Sequence, residues 1–171
     1  MVLEWLRERQ GEKLLYSDDK IREFARFLRL GTKKISIACT DEHLRYLYKN
    51  PNTLGVLSTA LNKGVDIQIV FNGRHETLEE VERYLHIENK ELIELKRDYG
   101  NLRLYWYPIL LSKDPVPFTI VDTEHLCFEN PDAEFYEREG TWAVFRYGDP
   151  KLGTNWETRF NRYLTKSEEI A

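Results

Sequence analysis

The chain has little sulfur, with two cysteines, Cys39 and Cys127, and one methionine among 171 residues. Two thiols cannot build the disulfide framework of a small secreted domain. With no Cys-x-x-Cys pair, both are expected to be buried and unpaired. The four histidines (His43, His75, His86, His125) are scattered, so no zinc-ligand spacing is present and no metal or cofactor is expected. Glycine is sparse: VFNGRH, residues 70–75, offers one where a dinucleotide fingerprint or a Walker loop needs several. There is no Gly-x-Ser-x-Gly elbow. The longest apolar stretches, Val65 to Phe71 and Tyr107 to Leu111, are too short to cross a bilayer. Glu4, Arg7, Glu8 and Arg9 interrupt any apolar leader, so no transmembrane segment and a cytoplasmic location are expected. Positive charge is not in excess either. Lys and Arg number 25 against 29 acids, net -4, so attraction to nucleic acid or anionic lipid requires a local basic patch.

What is present is globular. Apolar residues make up 42% and charged residues 32%, over a length normal for one domain. Four Trp, ten Tyr and eight Phe exceed the needs of a minimal core, which leaves some rings for an interface.

Residues 1–16 read as an N-terminal arm, and 17–171 as a single α/β domain. Ser17 reads as an N-cap, and Ile21, Phe24, Ala25 and Leu28 follow at helical spacing, with Gly31 as the C-cap. KKISIACT, 33–40, predicts a strand. Helical segments broken at Asn50-Pro51-Asn52 follow and close at Gly64. VDIQIVFNG predicts a central strand covered on both faces, and HETLEEVERYLH an amphipathic helix. ELIELK, NLRLYWYPIL, PFTIVDTEHLCFE and TWAVFRYG read as strands, with Asp122-Thr123-Glu124 as a tight hairpin turn. NWETRFNRYLTKSEEI reads as a closing helix. Strand–helix alternation in the first half predicts a mixed, mostly parallel sheet with helices on both faces.

Candidate ligand contacts follow from this layout. Ligands of open α/β sheets gather beyond the carboxyl ends of the strands, where Asn72, Arg74 and His75 are expected, although Asn72-Gly73 also reads as a simple turn. Cys39 beside Thr40, Asp41 and His43 suggests a Cys–His pair or a buried structural thiol. Asp122 is either a ligand contact or an acceptor for turn amides, and His125 either a ligand contact or a satisfied half-core residue.

The order of elements resembles one half of a phospholipase D-type domain over about residues 17–165. ALNKGVDIQIVFNG is similar to that family's helix-to-strand passage, and PVPFTIVDTEHLCFEN to the hairpin that carries its His-x-Lys-x4-Asp motif. The resemblance implies a phospholipase D-like fold. Aligned on Asp122, it puts Pro115 at the His and Pro117 at the Lys, and Asn130 near the family's Asn. Proline supplies neither nucleophile, proton nor oxyanion donor, so the resemblance implies a degenerate domain without that activity and no catalytic residue.

The function expected is a non-catalytic binding or scaffolding module, and the resemblance to single-motif members implies a homodimer. Its partner would be a protein, or a nucleic acid held by Arg74, Arg103, Arg146, Lys151 and Arg159 if they converge. Two alternatives remain. One is a phosphodiesterase or nuclease-type hydrolase built on Asp41, His43, Asn72, His75 and Asp122 meeting in one cleft. The other is a membrane-associated adaptor, against which the net charge argues.

Overall fold

A computed structural model describes residues 12–41, 43–44, 48–72, 75–108, 117–129 and 142–171. Eight strands form one mixed sheet in the order β1-β7-β6-β5-β2-β3-β4-β8. In chain order these are β1 (Glu12–Tyr16), β2 (Lys34–Thr40), β3 (Asp66–Asn72), β4 (Leu102–Trp106), β5 (Phe118–Val121), β6 (His125–Glu129), β7 (Trp142–Arg146) and β8 (Glu168–Glu169). The helices are α1 (Ser17–Leu28), α2 (Pro51–Asn62), α3 (Leu78–Glu88), α4 (Lys90–Asp98) and α5 (Pro150–Thr165).

The sheet is mixed, as expected, but its parallel share is smaller than expected. Only β2–β3 and β3–β4 are parallel. The other five ladders are antiparallel. The physical reason lies in the connections: α2, and then α3 with α4, return the chain for parallel pairing, whereas the three-residue turn between β5 and β6 can only join antiparallel neighbours.

Helices cover both faces. Alternate residues Ile35, Ile37, Cys39, Ile67, Ile69 and Phe71 point into a core shared with α1, α2, α3 and α4. Their neighbours Ala38 and Val70, with Phe118, Ile120 and Leu126, pack on Phe160 and Tyr163 of α5. Each such ring or branched side chain is worth about 1.5–3 kcal/mol of burial. β2, β3 and β5 are buried on both sides, hence the nearly unbroken apolar runs.

Three local readings change. ELIELK lies in helix α4, because Leu92 is buried while Ile93 and Leu95 only lean on the core, a one-sided burial that a helix satisfies. Glu168–Glu169, expected in the last helix, pairs with Tyr105 and Trp106 instead, and the buried Ile170 anchors it. Gly31 does not close α1 in a left-handed conformation. It sits close to the start of β2, where a Cβ would stand 2.9 Å from Ile35 Cδ1 and 3.3 Å from Leu28 O. Gly64, with φ +85°, does end its helical segment as expected. Glu12–Tyr16, the last residues of the N-terminal arm, form edge strand β1 on β7. The rest of the arm lies outside the described residues.

Candidate functional site

The structure distributes the sequence candidates over opposite edges of the sheet. β2 runs from Lys34 to Thr40, about 20 Å at the rise of a strand. Asp122 binds at its amino end, whereas Asn72 pairs with Thr40 at its carboxyl end. His125, Arg146 and Arg103 lie with Asp122 toward the amino edge. His125 Nδ1 accepts from Gly148 N, Arg146 pairs with Asp149 at 3.0 Å, and Arg103 pairs with Asp66 at 3.2 Å. His75 lies beyond β3, with Nε2 4.0 Å from Asp41 and its ring against Tyr84. Arg74, Asn130 and Pro115 lie outside the described residues. The five residues of the non-standard enzyme reading therefore do not share one cleft, because Asp122 lies at the opposite end of β2 from Asn72. Arg103 and Arg146 are each taken up by an aspartate.

Asp122 is fully engaged in structure. Its carboxylate accepts from the backbone N–H groups of Thr32, Lys33 and Lys34 and from the Thr32 hydroxyl, at 2.8–2.9 Å. Burial alone would raise its pKa, but the amides of Lys34, Thr32 and Lys33 outweigh that and hold it below the ordinary carboxylate range.

At the carboxyl edge, on the α1 side, lies a buried polar cluster that sequence reading did not single out. Lys20 Nζ stands 3.5 Å from Glu129 Oε1, and Glu129 Oε2 stands 3.6 Å from His43 Nε2, with side-chain exposures of 1%, 3% and 0%. His43 Nδ1 lies 2.7 Å from Thr40 Oγ1, which also accepts the His43 backbone N–H. The other ring nitrogen, Nε2, faces Glu129. Burial raises the Glu129 carboxyl, and Lys20 opposes the shift. Burial likewise pushes the Cys39 and Cys127 thiols well up, which makes both free cysteines poor nucleophiles. Glu129 N donates to Pro117 O, so this cluster adjoins the position that the resemblance assigns to a lysine. Only its alternation with Cys127 marked Glu129 as inward-facing.

The other face carries a groove of about 450 Å³ lined by Tyr107, Asn155, Thr158, Arg159, Arg162, Tyr163 and Lys166. Arg159, Arg162 and Lys166 recur at helical spacing along α5 and its cap, spanning about 10 Å of axis. The Arg159 guanidinium sits 4.9 Å over the Trp156 ring, which Phe118 and Phe128 brace edge-on. Glu157, the one acid of α5, is turned away and bound by Lys34 at 2.6 Å and by Ser36. Among the described residues no carboxylate lies within ion-pair distance of Arg162 or Lys166. Of the sequence candidates Arg103, Arg146, Lys151 and Arg159, all described, Arg159 is the one that lines this groove.

No metal-holding group of His, Cys, Asp or Glu occurs among the described residues, and no helix among them is long and apolar enough to cross a membrane.

No family model matches the sequence, and no curated protein sequence matches it. Solved structures do. The phospholipase D family member Nuc from Salmonella typhimurium superposes with a TM-score of 0.69 at 15% identity, over 93% of this chain and 97% of that one. NucT from Helicobacter pylori gives 0.61 at 11%, over 93% and 98%. TrmBL2, an archaeal chromatin protein that binds DNA, gives 0.66 at 16% over 94% of this chain, which spans 54% of TrmBL2. The chain has a phospholipase D-like fold.

Proposed function

We propose that this chain is a non-catalytic binding module whose partner is a nucleic acid. The observation that carries the first half is the hairpin. Pro117 stands at the position of the family's lysine, its carbonyl taken by Glu129 N, and Asp122 is spent on three backbone amides at the far edge. Proline offers a phosphoryl group neither attack nor protonation. The same alignment places Pro115 at the nucleophilic His, which makes the domain a degenerate one.

The second half draws on the fold and on local charge. The fold is shared with a DNA-binding chromatin protein, and a chain of net charge -4 concentrates cations on one face of α5. A homodimer in the cytoplasm belongs to the same proposal, and sedimentation at micromolar concentration checks its assembly state.

The test is hydrolysis of a fluorogenic phosphodiester and of labelled DNA, with and without added divalent metal. No turnover above a heat-inactivated control is expected. Cleavage that survives repurification and disappears on Glu129→Gln or His43→Ala substitution would overturn the non-catalytic reading.

A further inference from the structure

We propose that the groove between α5 and the end of β4 is a binding site for the phosphodiester backbone of nucleic acid, engaged without regard to base sequence. The inference rests on the nucleic-acid reading above and names where and how the partner is held.

Four observations converge on it. Arg159, Arg162 and Lys166 form a row along about 10 Å of helix, comparable to three nucleotide steps at about 3.4 Å per strand. Glu157, the one acid of α5, is committed to Lys34 and Ser36 on the sheet side of the helix, so α5 itself sets no carboxylate beside Arg162 and Lys166. Trp156 fixes the direction of the Arg159 guanidinium, and a fixed planar fork matches phosphate oxygens better than a free one. Exposed Asn155 and Thr158 add neutral donors of the kind that contact phosphate and sugar. The favourable field of Arg162 and Lys166 on the C-terminal end of α5 accounts for their presence on that turn. It does not account for the braced Arg159 or for the cavity between them.

Indifference to sequence follows from the rings. Tyr107 and Tyr163 are nearly buried and meet edge to face at 5.4 Å, so they offer no open face on which a base could stack. Cations without base-reading partners position a backbone and carry no sequence information.

The test measures binding of fluorescent 20-nucleotide single strands and 20-base-pair duplexes of two unrelated sequences, from about 50 to 200 mM salt. The wild type is compared with R162Q/K166Q and with R83Q/K90Q, which removes the same charge from α3 and α4 on the opposite face. We expect similar wild-type affinities for the two sequences. R162Q/K166Q should bind about tenfold or more weakly at low salt, with a salt slope shallower by about 1.4–1.8, while R83Q/K90Q stays within about twofold. Thermal melts check the fold of each variant, and K166E at the exposed helix end repeats the test by one charge reversal. Binding confined to single strands or to duplexes supports the site and identifies its ligand form. Wild-type binding that R162Q/K166Q and R83Q/K90Q weaken equally would overturn the groove and leave the nucleic-acid reading standing. No wild-type binding at low salt would overturn both.

Discussion

Gly153 lies directly under the carbonyl of Thr123, so close that a Cβ on Gly153 would stand 2.0 Å from that oxygen. This contact seats the first turns of α5 on the β5–β6 hairpin, and the hairpin answers with a second link, Asp149 N to Glu124 O at 2.9 Å. The position of the α5 groove therefore depends on a glycine some 15 Å or more of helix-and-sheet away from its far end.

Gly153→Ala should lower stability by about 1–3 kcal/mol, the usual range for overpacking against backbone that cannot yield. A chemical denaturation midpoint measures it. Gly55→Ala, in open space on α2, serves as the contrast and should be neutral or slightly stabilising, since alanine is the better helix former. Equal losses at both glycines would contradict the close contact.

Asp122→Asn should destabilise at neutral pH by about 1–3 kcal/mol, because three amides and a hydroxyl lose a charged acceptor. The folded carboxyl lies below its unfolded value, so its contribution is present above the unfolded pKa of about 3.9 and vanishes as pH falls through the folded one. Urea titrations between about pH 7 and pH 2 should show the wild type and Asp122→Asn curves converging in acid. Curves that stay parallel would show that the charge is not what matters.

Lys20→Met should cost about 3–5 kcal/mol near neutral pH, since it leaves the Glu129 carboxylate buried without its ammonium. The sign with pH is opposite to that of Asp122. The Glu129 carboxyl is raised, so its buried charge costs stability as pH rises through the folded value and costs nothing below the unfolded one. The Lys20→Met defect should therefore shrink in acid. The double variant Lys20→Met/Glu129→Leu should recover most of the loss, because apolar groups of similar volume replace a buried pair without its desolvation cost. Guanidinium unfolding of the two single variants and the double measures the coupling, and simple additivity would refute the pair.

Much of the architecture was legible in the residues. The apolar runs of β2 and β3, Asn50-Pro51 at the start of α2 and the tight Asp122-Thr123-Glu124 turn are local signals, written in neighbouring side chains. So was the bland reading of Asp122 as an acceptor for backbone amides, although the sequence placed those amides within the turn and the structure finds them 88 to 90 residues earlier.

The sequence by itself determined the α/β class, the order of most elements and the two prolines of the hairpin, because periodicity, capping and residue chemistry act over a few positions. Tertiary structure decided the rest. It made ELIELK a helix, paired Glu168–Glu169 with β4, and set Asp122 and Asn72 at opposite ends of β2. It also drew Lys20, His43 and Glu129 together, and aligned Arg159, Arg162 and Lys166 beside Tyr107. The reason is the same in each case. Burial, ion pairing and groove formation are set by which elements pack against one another, and partners more than twenty residues apart leave no period in the sequence that joins them.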